Sequence, residues 1–197
     1  MKRASKRFWL LVSLAAVVAL AQQAGVQAGG PKRVNESTLA GLQPGRDALE
    51  KASKKFGKES NVKAADNPNA HSWQVNCTLD DLVIEAGPNG IIRNITVSVT
   101  HAADHIIIDC SNRGESRKFR GQFGSGRNLL LRDRCERSEE IYGKAESRSP
   151  SVKGSDKLEL YLYTFDWAGP EVPQVMEVSC DAATQTVTEI TLAASSL

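Results

Sequence analysis

His101-x-x-Asp104-His105, with Asp109 four residues on, forms the metal-like cluster of this chain. On an extended strand His101, His105 and Asp109 share a face, and imidazole and carboxylate are ordinary zinc ligands. The same residues serve as a polar strand edge or loop, and that reading is adopted: no bound metal and no cofactor are expected. Nucleophilic catalysis needs a base beside a Ser, Thr or Cys. Three His and no Gly-x-Ser-x-Gly supply no local setting for it, so no catalytic residue is expected. Gly114, Gly121, Gly124 and Gly126 match neither Gly-x-Gly-x-x-Gly nor Gly-Lys-Ser/Thr, which excludes a phosphate loop of either kind.

Charge offers a second kind of chemistry. Eight basic and three acidic residues lie between Arg113 and Arg137, whereas seven acids and one Lys lie from Asp156 to the end. One reading is two solvated faces that complement each other within the fold. The functional reading is a contact patch centred on Arg113, Arg117, Lys118 and Arg120, facing an acidic partner or an anionic polymer.

The first 28 residues give an address. Lys2, Arg3, Lys6 and Arg7 precede a 14-residue apolar run from Phe8 to Ala21, and Val26-Gln27-Ala28 fits a cleavage site. The run is shorter than the roughly 20 residues of a membrane-spanning helix. Cleavage after Ala28 leaves 169 residues with 21 basic and 23 acidic side chains, a net −2. That balance argues against a general nucleic-acid binder, and no membrane anchor is expected after cleavage. In an exported chain the four cysteines, Cys77, Cys110, Cys135 and Cys180, read as two disulfides. Three pairings are possible, and four buried thiols are the alternative.

The elements that must position these residues come in two copies. Arg46-Asp47, Glu50, Gly57 and Lys58 recur 86 residues later as Arg132-Asp133, Glu136, Gly143 and Lys144. Leu49, Ala52 and Phe56, and likewise Cys135, Ser138 and Tyr142, fall at i, i+3, i+7, the stripe of an amphipathic helix. Asp47-x-x-Glu50 and Asp133-x-x-Glu136 resemble capping boxes, and Gly57 and Gly143 stand where the helices stop. At an offset of 95, Val83 meets Val178, Ile92 meets Val187, and Ile95-Thr96-Val97 meets Ile190-Thr191-Leu192. Both copies share a break in alternation, Ile92 to Ile95 and Val187 to Ile190. Each copy predicts a β-hairpin, turning at Gly87-Pro88-Asn89-Gly90 and near 182–185, preceded by a strand at 73–79 or 158–167. The Tyr161, Tyr163, Phe165, Trp167 ladder and Trp73 are read as core. Asn67-Pro68-Asn69 and Ser149-Pro150-Ser151 are read as polar loops.

The fold class expected is α+β, two tandem helix-plus-antiparallel-sheet repeats. The organisation expected is a signal peptide (1–28), a flexible leader (29–41), a first repeat (42–110), a basic Gly-containing linker (111–127) and a second repeat (128–197). A helix stripe packed on the inner face of a sheet would bring Cys135 to Cys180, which follows Met176 and Val178 on alternate positions. Cys77 and Cys110 then pair by elimination.

The order helix, Phe/Tyr-Gly-Lys, loop, strand, hairpin ending in Val/Ile-x-x-Ile-Thr resembles the SmpA/OmlA (BamE-like) domain of the bacterial envelope. The tandem pair resembles the architecture of the β-lactamase inhibitor protein. Asp133 to Lys144 and Val175 to Leu192 carry the likeness, echoed by Asp47 to Lys58 and Val83 to Val97. The envelope lipoprotein has a lipidated Cys after its signal and this chain has none; the inhibitor's contact residues have no counterpart here. The bacterial resemblance implies that the sequons at Asn35, Asn76 and Asn94 are chance. It implies an extracytoplasmic, periplasmic or secreted, non-enzymatic binding or scaffold module with a protein partner. A secreted enzyme inhibitor is the alternative, and a hydrolase ranks last.

Overall fold

The structure is a computed structural model, described over residues 34–59, 67–75, 80–99, 123–166 and 173–194. Helix α1 (Leu49–Phe56) buries Ala52 and Phe56 and packs Leu49 at the core's margin. Helix α2 (Glu136–Tyr142) buries Ser138 and Tyr142, with Cys135 buried just before it. The helical stripes are therefore as the spacing predicts. Both helices end at glycines, Gly57 with φ 88° and Gly143 with φ 81°. Nothing lies within 4 Å of a Cβ placed at either, so backbone conformation rather than space calls for glycine there.

The helix starts differ from expectation. Neither has a side-chain cap: the capping positions are Ala48 and Cys135. Asp47 Oδ2 instead accepts from Gln43 N at 2.8 Å, and Asp133 Oδ2 from Leu130 N at 2.9 Å, each closing the turn before its helix. Hairpin turns take over part of the capping role, with Leu49 N donating to Gly90 O and Cys135 N to Gln185 O. These bonds satisfy N–H groups that a helix start otherwise leaves open.

The two tandem helix-plus-antiparallel-sheet repeats are not what forms. Strands β1 (Ala70–Val75), β2 (Asp80–Ala86), β3 (Ile92–Val99), β4 (Ser147–Lys153), β5 (Asp156–Asp166), β6 (Pro173–Asp181) and β7 (Val187–Ala194) make one seven-stranded antiparallel sheet, ordered β1-β2-β3-β7-β6-β5-β4. The two helices, eight and seven residues long, are minor partners in a sheet-dominated fold. The reason lies in β3 and β7. Left apart, each would be a sheet edge with unpaired backbone groups beside buried apolar side chains. Paired in register, with Ile95 opposite Leu192, Thr96 opposite Thr191 and Val97 opposite Ile190, they close both edges at once.

The shared break in alternation is a β-bulge in each hairpin, between Glu85 and Ala86 opposite β3 and between Ser179 and Cys180 opposite β7. One pairing from sequence needs correction. Val178 faces Ile190 as Ile84 faces Ile95, so Val178 corresponds to Ile84 and not to Val83. The second hairpin's turn is one residue longer, which shifts β2 against β6 relative to β3 against β7. Ser149-Pro150-Ser151, expected in a loop, lies within β4, an almost wholly exposed edge strand. Proline is tolerated at such an edge.

Residues 34–41 belong to the fold rather than to a flexible leader. Leu39 and Ala40 are buried in the main core, and Leu39 bridges to Leu42 and Ser125. Phe123 and Ser125, within the expected linker, are buried too. Ala52, Phe56, Trp73, Phe123, Tyr142, Tyr163 and Phe165 fill one core with the inward residues of β2, β3, β6 and β7. Trp73 Nε1 donates to Gly57 O at 3.1 Å, joining β1 to the end of α1.

Candidate interaction surface

Alternation in the strands sends Leu82, Ile84, Ile95, Val97, Met176, Val178, Ile190 and Leu192 to the helix-bearing face. The intervening residues form the opposite face. Register places Ser72, Val83, Thr96, Thr191, Glu177, Leu162 and Ser147 in one row, one residue from each strand. Asp81, Ser98, Glu189, Ser179, Leu160 and Ser149 make the next row, from β2 across to β4. Beyond the first row on the other side run Glu85, Asn94, Ala193, Val175 and Thr164. The surface mixes small hydroxyls, four carboxylates and a short apolar patch, most of it half-exposed.

Its electrostatics are acidic. Lys153 Nζ is 2.6 Å from Glu189 Oε2, and Glu85 Oε2 accepts from Asn94 Nδ2 at 2.9 Å. Burial, with the neighbouring Glu189 charge, raises the Glu177 carboxyl above its ordinary value. Thr96 and Thr191 share a hydrogen bond of 2.9 Å at the middle of the face. Such a surface can hold a partner by hydrogen bonds, charge and modest apolar contact.

The contact patch read from sequence, Arg113, Arg117, Lys118 and Arg120, lies outside the described residues, as do Cys77, Cys110, Trp167 and the His101–Asp109 cluster. The described part of the basic stretch is largely engaged internally. Arg127 donates its backbone N–H to Glu36 and its Nε to Asn35 O, Arg132 Nη2 lies 2.7 Å from Asp80 Oδ1, and Arg137 reaches Glu140. Among the described residues no group of three or more His, Cys, Asp or Glu is placed to hold a metal ion. No helix among them is long and apolar enough to cross a membrane. Cys135 and Cys180 form a disulfide with Cα atoms 6.0 Å apart, tying the start of α2 to β6 as the helix-on-sheet argument predicts.

Sequence reasoning missed two buried polar arrangements. Glu36, 2% exposed, accepts from Ser37 N, Thr38 N, Arg127 N and the Tyr142 hydroxyl, the last at 2.7 Å. Tyr142 also lies 2.6 Å from Ser125 Oγ. Burial pushes the Tyr142 hydroxyl far above the usual phenol range, and the Glu36 carboxylate adds to the rise. The signal was the exchange of Phe56 for Tyr142 between the copies, which adds a hydroxyl that a core must satisfy. Asp80, 1% exposed, is the second, ion-paired across the two halves with Arg132. The contact is close but off the hydrogen-bond direction, leaving that oxygen without a hydrogen-bond donor among the described residues. Arg132 holds this position with φ 69°, rare for a residue with a Cβ.

No family model matches the chain, and no curated protein matches it. Among solved structures it is similar to a DUF4309 family protein (YjgB) from Bacillus subtilis subsp. subtilis str. 168. The identity is 13%, the match covers 78% of this chain and 82% of that chain, and the TM-score is 0.45.

Proposed function

We propose that this protein is an exported, non-enzymatic binding module of the bacterial cell envelope, holding a protein partner on the helix-free face of its sheet. The observation that carries the reading is that face itself. Seven paired strands hold rows of half-exposed side chains in fixed register, so a partner meets a preorganised surface. Asp81, Glu85, Glu177 and Glu189 favour a partner segment rich in Lys and Arg, and added salt weakens such contacts. The basic segment 113–120 is a second proposed contact, for an acidic partner. The test is capture from envelope extract by the mature chain and by its Thr191→Arg variant. The account expects a specific protein retained by the first and lost with the second; equal retention by both overturns the assignment of this face.

An enzyme inhibitor acting through a hairpin turn is the second reading. Residues 182–185 form an exposed tip, anchored through Gln185 O to the start of α2. The tip at 87–91 lies at the opposite end of the sheet, because β3 and β7 run antiparallel. Such an inhibitor would insert one tip alone, and assays against secreted hydrolases with tip variants test it.

A further inference from the structure

Helix α1 carries three lysines. Lys51 lies 2.7 Å from Asp47 Oδ2 and Lys54 2.7 Å from Glu50 Oε1, each a surface i,i+4 pair. Lys55 has no carboxylate within ion-pair distance among the described residues. It is half-buried, and its Nζ donates to the Ala40 carbonyl at 2.7 Å. That bond uses one of the three N–H groups of the ammonium. Around it opens a cleft of about 240 Å³ lined by Ala40, Gly41, Lys55, Gly124, Ser125, Asn128 and Leu130.

The backbone makes the space. Ala40 and Gly41, with φ 53° and 70°, form a tight turn closed by reciprocal bonds between Leu39 and Leu42. A Cβ on Gly41 would collide with the Lys55 ammonium, so glycine lets the charge sit against the turn. Asn128, exposed and lining the same cleft, holds φ 65°, and no hydrogen bond engages its side-chain amide among the described residues. Burial, followed by the Lys51 charge, lowers the Lys55 pKa, and the Asp47 carboxylate offsets part of the fall.

The geometry points to a binding site for a single carboxylate, such as an acidic side chain or chain terminus of a peptide, between Lys55 Nζ and the Asn128 amide. One ammonium that has no ion pair among the described residues and rests 5.5 Å from the Phe56 ring centre, with a neutral donor on the same cleft, matches a monoanion. The neighbouring lysines are already neutralised by Asp47 and Glu50, so a dianion finds no second free charge on α1. Charge-assisted hydrogen bonds of this kind are the stronger class. This site is on the helix side of the sheet and stands independently of the helix-free face.

The experiment is a titration of the full mature chain with sodium acetate at constant ionic strength, chloride being replaced, followed by amide NMR. Saturable shifts are expected at the Asn128 side-chain amide, Gly41 and Lys55. The Lys55→Met variant should bind acetate at least tenfold more weakly. Because Lys55 also holds the Ala40 carbonyl, Asn128→Gly provides a second variant. It keeps the left-handed backbone, loses only the amide, and should bind several-fold more weakly with an otherwise unchanged spectrum. Absent or non-saturating shifts at these residues, or unchanged binding in both variants, would overturn the proposal and leave Lys55 as a tether for the turn alone.

Discussion

The Oγ1 atoms of Thr96 and Thr191 lie 2.9 Å apart at the centre of the sheet, and each residue is the other's counterpart in the duplicated sequence. An antiparallel pair that brings equivalent residues face to face places a local twofold relation between them. Ile95 then faces Leu192, the counterpart of Val97, and Val97 faces Ile190, the counterpart of Ile95. The internal duplication therefore ends in one continuous sheet.

Replacing either threonine with valine should cost about 0.5–1 kcal/mol, since cross-strand Thr pairs contribute at that level. The double variant should cost less than the sum of the singles, because no hydroxyl is left without its mate. Urea unfolding of the four proteins in a double-mutant cycle measures the coupling; strict additivity would mean that the hydroxyl contact contributes nothing.

Loss of the Cys135–Cys180 bridge, which closes a 45-residue separation, should destabilise the chain by roughly 3–4 kcal/mol in the chain-entropy model. Paired Cys→Ala substitution isolates this bridge better than a reductant, which would act on every disulfide present. Denaturant midpoints check the magnitude, and a loss below about 1 kcal/mol would mean the unfolded chain is constrained by other means.

Arg132→Met removes the partner of a buried carboxylate and should destabilise by about 2 kcal/mol. The value is discounted because the guanidinium is half-exposed and screened by solvent. In an Asp80→Asn background the same substitution should cost markedly less. Equal losses in both backgrounds would show that Arg132 acts through packing and not through Asp80.

Glu177 sets a pH dependence. Its carboxyl is raised in the folded chain by burial and by Glu189, so the folded state holds the proton to higher pH than the unfolded state. Stability from this group is greatest below the unfolded value of about 4.3 and falls as pH rises through the folded value. Glu177→Gln should flatten that fall and leave the protein more stable at neutral pH. Thermal melts of both proteins from acid to neutral pH read it directly, and parallel profiles would contradict it.

Export predicts an amino terminus at Gly29. Amino-terminal sequencing of periplasmic or extracellular material checks this. Soluble cytoplasmic protein that retains Met1 would remove both the address and the compartment in which the cysteines are expected to oxidise.

What could be read in the sequence was whatever periodicity encodes. The stripes Leu49-Ala52-Phe56 and Cys135-Ser138-Tyr142, the two hairpins and their shared bulge follow from local apolar spacing. Strand β4 escaped because an exposed edge strand has only one neighbour and little to bury, so Ser149-Pro150-Ser151 reads as loop. The fusion of the halves escaped because nothing local distinguishes β3 as an edge from β3 as a central strand. Asp80 with Arg132 is set by tertiary proximity alone, and for Glu36 with Tyr142 the sequence shows only the added hydroxyl of Tyr142 in the place of Phe56, not its partner. On the candidate face, the repeat aligned Thr96 and Thr191 as counterparts, but their pairing, like the row joining them to Val83, Glu177 and Leu162, needed the strand order.

Site-specific photo-crosslinking tests the helix-free face most directly. The photoreactive residue would replace Ser98 or Thr191 on that face, or Lys54 or Glu140 on the exposed sides of the helices, in protein expressed in its own envelope. The account predicts a discrete adduct with one partner protein from Ser98 and Thr191 and none from Lys54 or Glu140. Adducts from the helix positions alone would contradict it.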